Sequence, residues 1–264
     1  MNARTVSINT DIGEGFGVWG VGDEAPLMDQ VTAANIACGF HAGDPDTLRS
    51  TCEMASARGV SVGAQVSYRD LVGFGRRFID VPTPTLVNDI LYQIGALQAF
   101  ARIAGTEVSY VKAHGALYNT AARHHGQAHA IVEAIGLLDP ELPVLCQYGT
   151  VLWNTALDAG LSPHAEVFID RSYTDDGLLV PRSHPDALVL DPSAAAKRAV
   201  QMFATGSVVS VGDQTVAVVP EDAATIAMCI HSDAPGAVGI ARRTRSLLEQ
   251  NGVALVPIGD RRHD

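Results

Sequence analysis

Positive charge is scarce in this chain: 18 Lys and Arg stand against 29 Asp and Glu, a formal net charge of -11. That balance argues against nucleic acid or an anionic membrane surface as a partner. No apolar run approaches the roughly 18 residues of a membrane span, and "MNARTVSINTDIGEG" lacks the apolar core of a signal peptide. The expected compartment is therefore the cytoplasm. Cysteine is scarce too. Cys38, Cys52, Cys146 and Cys229 are widely spaced and form no Cys-x-x-Cys pair, which suggests neither a disulfide scaffold nor a structural zinc site and predicts reduced, buried thiols. There is no Walker loop, no Gly-x-Gly-x-x-Gly opening a helix after a strand, and no Gly-x-Ser-x-Gly elbow. A nucleotide-binding fold and acyl-enzyme chemistry are disfavoured accordingly. The glycine-rich run "GEGFGVWGVG" precedes polar, turn-forming residues and is expected to be a mobile loop over the site.

What the chain does have is alternation. "TVSIN", "NIAC", "VSVGA", "VSYVK", "PVLCQ", "AEVFI", "IAMCI" and "VALVPI" are short, mostly unalternating apolar runs, the pattern of parallel strands covered on both faces. Between them lie amphipathic helices with readable ends: Asp44-Pro45 to Gly59, Thr83-Pro84 to Gly105, and Asp233–Pro235 to Gly252. Eight candidate strands in 264 residues, with no compositional break, predict an α/β fold. We expect a single parallel (β/α) barrel over residues 1–264. Two β-rich runs flanking Gly212-Asp213 predict a surface β-hairpin inserted near 207–219.

Parallel barrels bind ligands at the C-terminal ends of their strands, and here those ends are rich in ionisable groups. The first run is followed by Asn9, Asp11 and Glu14, the second by His41 and Asp44, the third by Gln65 and Ser67, and the fourth contains Lys112 and His114 with Asn119 beyond. Glu166, Asp170 and Arg171 mark the sixth, and His231 and Asp233 the seventh. "CGFHAGDP" and "CIHSDAP" repeat one order of Cys, His, Asp and Pro. Three histidines beside Asp11 support general acid–base work on a carbonyl substrate, or a divalent metal held by Asp11, His41, His114 and His231. The spacing does not separate these two chemistries, so no residue is assigned as a metal ligand. His124, His125, His129, His164, His184 and His263 are expected at the surface. Arg76 and Arg77, after Gly-x-Gly in "LVGFGRRF", and Lys112, one of only two lysines, are candidate anion ligands.

"NTDIGEGFGVWGVGDEAPLMDQVTAANIACGFHAGDPDTLR", "DLVGFGRR", "VKAHGALYN", "EVFIDRSYTDDGLLVPRS" and "CIHSDAPGAV" together resemble the LamB/YcsF family over nearly the whole chain. The resemblance implies a (β/α) barrel of the glycoside hydrolase/deacetylase type with seven strands, one fewer than the count above. It also implies ATP-dependent opening of the 5-oxoproline lactam to glutamate together with 5-oxoprolinase subunits B and C. ATP would be bound by those partners, which are thought to phosphorylate the ring. On that reading Asp11, His41 and His114 are the catalytic candidates. Asn9, Gln65, Arg76, Arg77, Lys112, Glu166, Asp170, Arg171 and His231 would hold the substrate. Two stretches depart from the family's usual pattern. Ser7 to Asp11 replaces Asp-Leu-Asn-Cys-Asp, and Gln65 stands where the family usually has a histidine. Glutamine keeps a hydrogen-bonding side chain and loses imidazole's proton affinity. The departures leave open another lactam as substrate, a metal-dependent deacetylase-type hydrolase, or a non-catalytic family member.

Overall fold

Asp44 shows how this sequence starts its helices: its carboxylate accepts from the backbone N–H groups of Asp46 and Thr47, at 2.9 and 3.0 Å, while Pro45 takes the first helical position. In the computed structural model, which describes residues 4–259, the same alternation of extended runs and capped helices continues along the chain. The strands are β1 (Thr5–Ile12), β2 (Ala33–Ala37), β3 (Ser61–Val66), β4 (Val108–Ala113), β5 (Val144–Cys146), β6 (Pro163–Phe168), β7 (Ser207–Val209), β8 (Thr215–Ala217) and β9 (Thr225–Ile230). The helices are α1 (Glu24–Met28), α2 (Pro45–Ser56), α3 (Thr83–Ile103), α4 (Gly115–Ala121), α5 (His125–Leu138), α6 (Val151–Asp158), α7 (Pro192–Thr205) and α8 (Ala237–Gln250). None is long and apolar enough to cross a membrane among the described residues.

Seven strands close a parallel barrel in the order β1-β2-β3-β4-β5-β6-β9. The eighth apolar run, 253–258, is not a barrel strand: it meets β1 through one isolated bridge between Val6 and Leu255. β7 and β8 pair antiparallel, with Val208 opposite Val216. The third helix expected from sequence begins later than its Asp-Ala-Pro start, at Ala237, because Gly236 in the left-handed region (φ 78°) forms the entry turn. Residues 1–3 and 260–264, including His263, lie outside the described residues. All four cysteines are free and buried. His164 lies on β6 and is half-buried, although a surface position was expected.

The outer core between strands and helices is aliphatic, with Ile8, Ile36, Val62, Val111, Val167 and Met228 fully buried. The inside of the barrel differs. A small apolar cluster of Ala33, Tyr110, Leu145, Ala227 and Ile258 fills its lower part. Above it, register places Asp11 beside Asn35, Asn35 beside Gly63 and Gly63 beside Tyr110. Gly63 is required there by contact, since a Cβ would stand 2.1 Å from the Tyr110 ring. The Tyr110 hydroxyl donates to Asn35 Oδ1 at 2.7 Å, so the ring cannot move without breaking that bond. Gly63→Ala is expected to destabilise the fold by about 1–3 kcal/mol or more through overpacking. Denaturant unfolding measures it, and unchanged stability would show that the ring yields freely.

Candidate active site

The C-terminal ends of the strands open into a cavity of about 650 Å³. At its floor, Lys112 of β4 is 2% exposed. Its Nζ lies 3.0 Å from Asp11 Oδ1, 3.1 Å from Glu166 Oε1 and 3.0 Å from Cys229 Sγ. Burial would raise Asp11 and depress Lys112. The opposing charges win: Lys112 holds Asp11 well below the usual carboxylate range, and Asp11, Cys229 and Glu166 hold Lys112 well above its ordinary value. Both groups are ionised at neutral pH. Burial raises the Glu166 carboxyl against the pull of Lys112. Asn9 and Asn35 extend the network downward: Asn35 Nδ2 donates to Asn9 Oδ1 at 2.8 Å and to Asp11 Oδ1 at 2.9 Å. Asn9 and Glu166, candidates for substrate contact by sequence, sit beneath the cavity and position its floor.

Asp170 and His231 form a second unit. The Asp170 carboxylate accepts from the His231 backbone N–H at 2.9 Å and from its ring Nδ1 at 2.9 Å. The carboxyl is held below its ordinary value: burial would raise it, and His231 lowers it. With Nδ1–H committed to Asp170, His231 lines the cavity and has Nε2 to offer. Its ring stacks on Phe168 at 5.4 Å.

The third unit is buried. His41 is 0% exposed and stacks on His114 with centroids 4.0 Å apart and planes 14° apart. Gln65 bridges the two rings. His41 Nε2 is 3.2 Å from Gln65 Oε1, Gln65 Nε2 is 2.9 Å from His114 Nδ1, and His114 Nε2 is 3.0 Å from the Phe74 carbonyl. Burial pushes the His41 imidazole down to about 4. His114 reaches the cavity wall, whereas His41 does not line it. Sequence reasoning placed Glu14 at a strand end but left it out of the site. The loop after β1 turns it inward, 3.8 Å from His41 Nε2 and 3.7 Å from His114 Nδ1.

Glu14, His41 and His114 bring ligand atoms within 4.8 Å of one another and could hold a metal ion. The space beside both ring nitrogens is already taken by the Gln65 carboxamide, 3.2 Å from His41 Nε2 and 2.9 Å from His114 Nδ1. As arranged, the donors do not fit a shared ion.

The loop "GFGRR" does something other than cradle an anion. Asp70 anchors it by accepting from the N–H groups of Gly73 and Arg77, at 3.0 and 3.2 Å. Arg77 pairs with Asp70 and stays outside the cavity. Phe74 takes a positive φ of 55°, which turns its carbonyl toward His114. Gly75 packs so closely that a Cβ would come within 2.8 Å of His41 and 2.9 Å of His114. Arg76 does line the cavity, paired with Asp233 at 2.5 Å. Arg171 also lines it, donating to the Val180 carbonyl at 2.6 Å; burial and the nearby Arg182 bring it down to about 10. Arg182, 3.6 Å from Asp233, is a third cavity-lining guanidinium. Nothing in its sequence spacing marked it, apart from its place in "GLLVPRS".

Two measurements follow from this geometry. Lys112→Met leaves Asp11 and Glu166 buried without their cation and is expected to cost about 3–5 kcal/mol of stability, read by denaturant unfolding at neutral pH; a loss under about 1 kcal/mol counts against the ion-pair account. Unfolded His41 takes a proton near pH 6.5, but folded His41 only near 4. Below 6.5 the unfolded state binds more protons, so stability falls as pH drops through that window. The loss attributable to His41 is up to about 3 kcal/mol, and His41→Asn should remove it from the difference between unfolding at pH 7 and at pH 4.5. Equal acid sensitivity of the two proteins would refute the assignment.

The LamB/YcsF family matches residues 6–263. The A subunit of 5-oxoprolinase from Mycolicibacterium gilvum is 50% identical over 251 residues, covering 95% of this chain and 98% of the relative. The crystal structure of a lactam utilization protein from Thermus thermophilus superposes with a TM-score of 0.90 at 41% identity, over 97% of this chain and 100% of that one. The catalytic domain of a peptidoglycan N-acetylglucosamine deacetylase from Eubacterium rectale shares the fold, with a TM-score of 0.50 at 11% identity over 98% and 93%. With its barrel, its strand-end residues and its near full-length match all agreeing, the chain belongs to the LamB/YcsF family.

Proposed function

We propose that this chain is the A subunit of a 5-oxoprolinase and catalyses hydrolytic opening of the activated 5-oxoproline lactam to glutamate. The observation that carries the reading is one cavity in which Asp11, Lys112, His114 and His231 share walls with Arg76, Arg171 and Arg182, in a chain half identical to a relative named as the A subunit of 5-oxoprolinase. The substrate carries a carboxylate and, once phosphorylated, a phosphate. Planar guanidiniums suit both anions, and the paired acid–base groups suit the ring carbonyl.

Proton transfer falls to His231. Asp170 holds its Nδ1–H, so Nε2 takes a proton from water while the water oxygen bonds to the phosphorylated ring carbon, and passes it to the ring nitrogen. The carbon–nitrogen bond then breaks as the new hydroxyl gives up its proton through Nε2 to the departing amine, and the acyl phosphate left behind is attacked by a second water, deprotonated at the same nitrogen, releasing phosphate and glutamate. Ionised Asp11, fixed by Lys112, and His114 form the wall against which the ring is oriented. Partner subunits B and C bind ATP and supply the phosphorylated ring, and we place the complex in the cytoplasm. Nucleotide binding is therefore assigned outside this chain.

Reconstitution with the two partner subunits, following ATP-dependent glutamate release, tests the reading. We expect Asp11→Asn and His231→Ala each to lower release by about a hundredfold or more. No release from a complex containing the folded native chain overturns the function. Undiminished release from both variants overturns the residue assignment.

A further inference from the structure

Gln65 makes more hydrogen bonds than a wall residue needs, and their direction is fixed from one end. The Phe74 carbonyl can only accept, so His114 Nε2, 3.0 Å away, carries a proton. In the neutral ring Nδ1 is then a bare acceptor, and the Gln65 atom 2.9 Å from it must be the amide nitrogen. The Gln65 carbonyl oxygen therefore faces His41 Nε2 at 3.2 Å and accepts its proton. Glu14 enforces the same orientation independently. Its Oε1 lies 3.5 Å from Gln65 Nε2, and turning the amide round would set a carbonyl oxygen against a carboxylate. His41 Nδ1 is then an unprotonated nitrogen, buried and without a hydrogen-bond partner among the described residues.

The carboxamide thus answers all three of the groups whose ligand atoms cluster here, the Glu14 oxygen and the two ring nitrogens. We propose that Gln65 holds the place of a cation in this chain: its side chain fills the gap among Glu14, His41 and His114 and fixes both imidazoles in the Nε2–H form. Gln65 is a positioning residue. It keeps the rings stacked with their lone pairs turned away from any common point, and it leaves His41 with no proton to exchange toward the cavity. A divalent ion can enter only by displacing the amide and turning the rings. Three hydrogen bonds oppose that, each worth a factor of about five in affinity, so binding is weakened roughly a hundredfold. None of this depends on the 5-oxoprolinase reading.

Nitrogen-15 NMR of the histidine rings in the native chain at pH 7.5, with signals assigned by His41→Asn and His114→Gln, reads the tautomers without any change at position 65. Both rings should be neutral and protonated at Nε2. Titration with Co²⁺, followed by its visible absorption, supplies the second readout: Gln65→Ala and Gln65→Glu, each checked for folding by circular dichroism, should bind about a hundredfold tighter than the native chain. A proton on Nδ1 of either ring in the native chain overturns the proposal. So does native cobalt affinity equal to or above that of the folded variants, which would make Gln65 a bystander or a ligand.

Discussion

The arrangement rests on one buried cation. A lysine ammonium inside a barrel costs several kcal/mol in lost hydration unless anions meet it there. Lys112 is met by Asp11 and Glu166 at 3.0 and 3.1 Å. Those anions are in turn too costly to bury alone, so the three charges stand or fall together. Their mutual dependence explains why the lumen beneath the cavity holds Asn9, Asn35 and Tyr110 where an aliphatic layer would pack more simply. Each donates or accepts toward Asp11 or its neighbour, and together they hold the carboxylate at one place in the floor of the cavity.

From that floor the site divides into parts with different freedom. The Asp170–His231 unit stands on the β6–β9 side and opens to the cavity. The His41–Gln65–His114 unit stands opposite, roofed by Gly75 and the Phe74 carbonyl. Arg76 from the loop after β3 converges with Arg171 and Arg182 from the segment between β6 and α7, and Asp233 meets two of them. A substrate with two anionic groups and one reactive carbonyl is matched by this division: fixed positive charge at the rim, a fixed negative charge at the floor, and one imidazole with a nitrogen to spare.

The barrel itself was legible because seven apolar runs are long enough and close enough to helix signals to be recognised one by one, from "TVSIN" to "IAMCI". The run "VALVPI" deceived because apolarity alone does not distinguish a strand of the barrel from a chain end lying against β1. The same apolarity concealed the polar lumen. Asn35 interrupts an apolar run only once, which reads as noise when no alternation continues on either side, and Lys112 and Glu166 read as ligands for a substrate where they are members of one buried network. Arg76 and Arg77 are adjacent in sequence and chemically identical, yet one lines the cavity and the other pairs with Asp70. That difference is set by the loop anchored on Asp70 and by the positive φ of Phe74, neither visible in composition. Glu14 was hidden by its glycine-rich surroundings, and Arg182 by a loop without periodicity.

Position 65 shows how much chemistry one buried side chain can set. An imidazole there would give the His41–His114 pair a third titratable ring and a third potential ligand atom. Glutamine gives the pair a donor and an acceptor that never exchange a proton at neutral pH. The amide engages His41 Nε2 and His114 Nδ1 at 3.2 and 2.9 Å. His41, with its imidazole down at about 4, lies behind the cavity wall and does not line it. On the proposed mechanism acid–base duty falls instead to His231, which lines the cavity and whose Nδ1 is held by Asp170 at 2.9 Å.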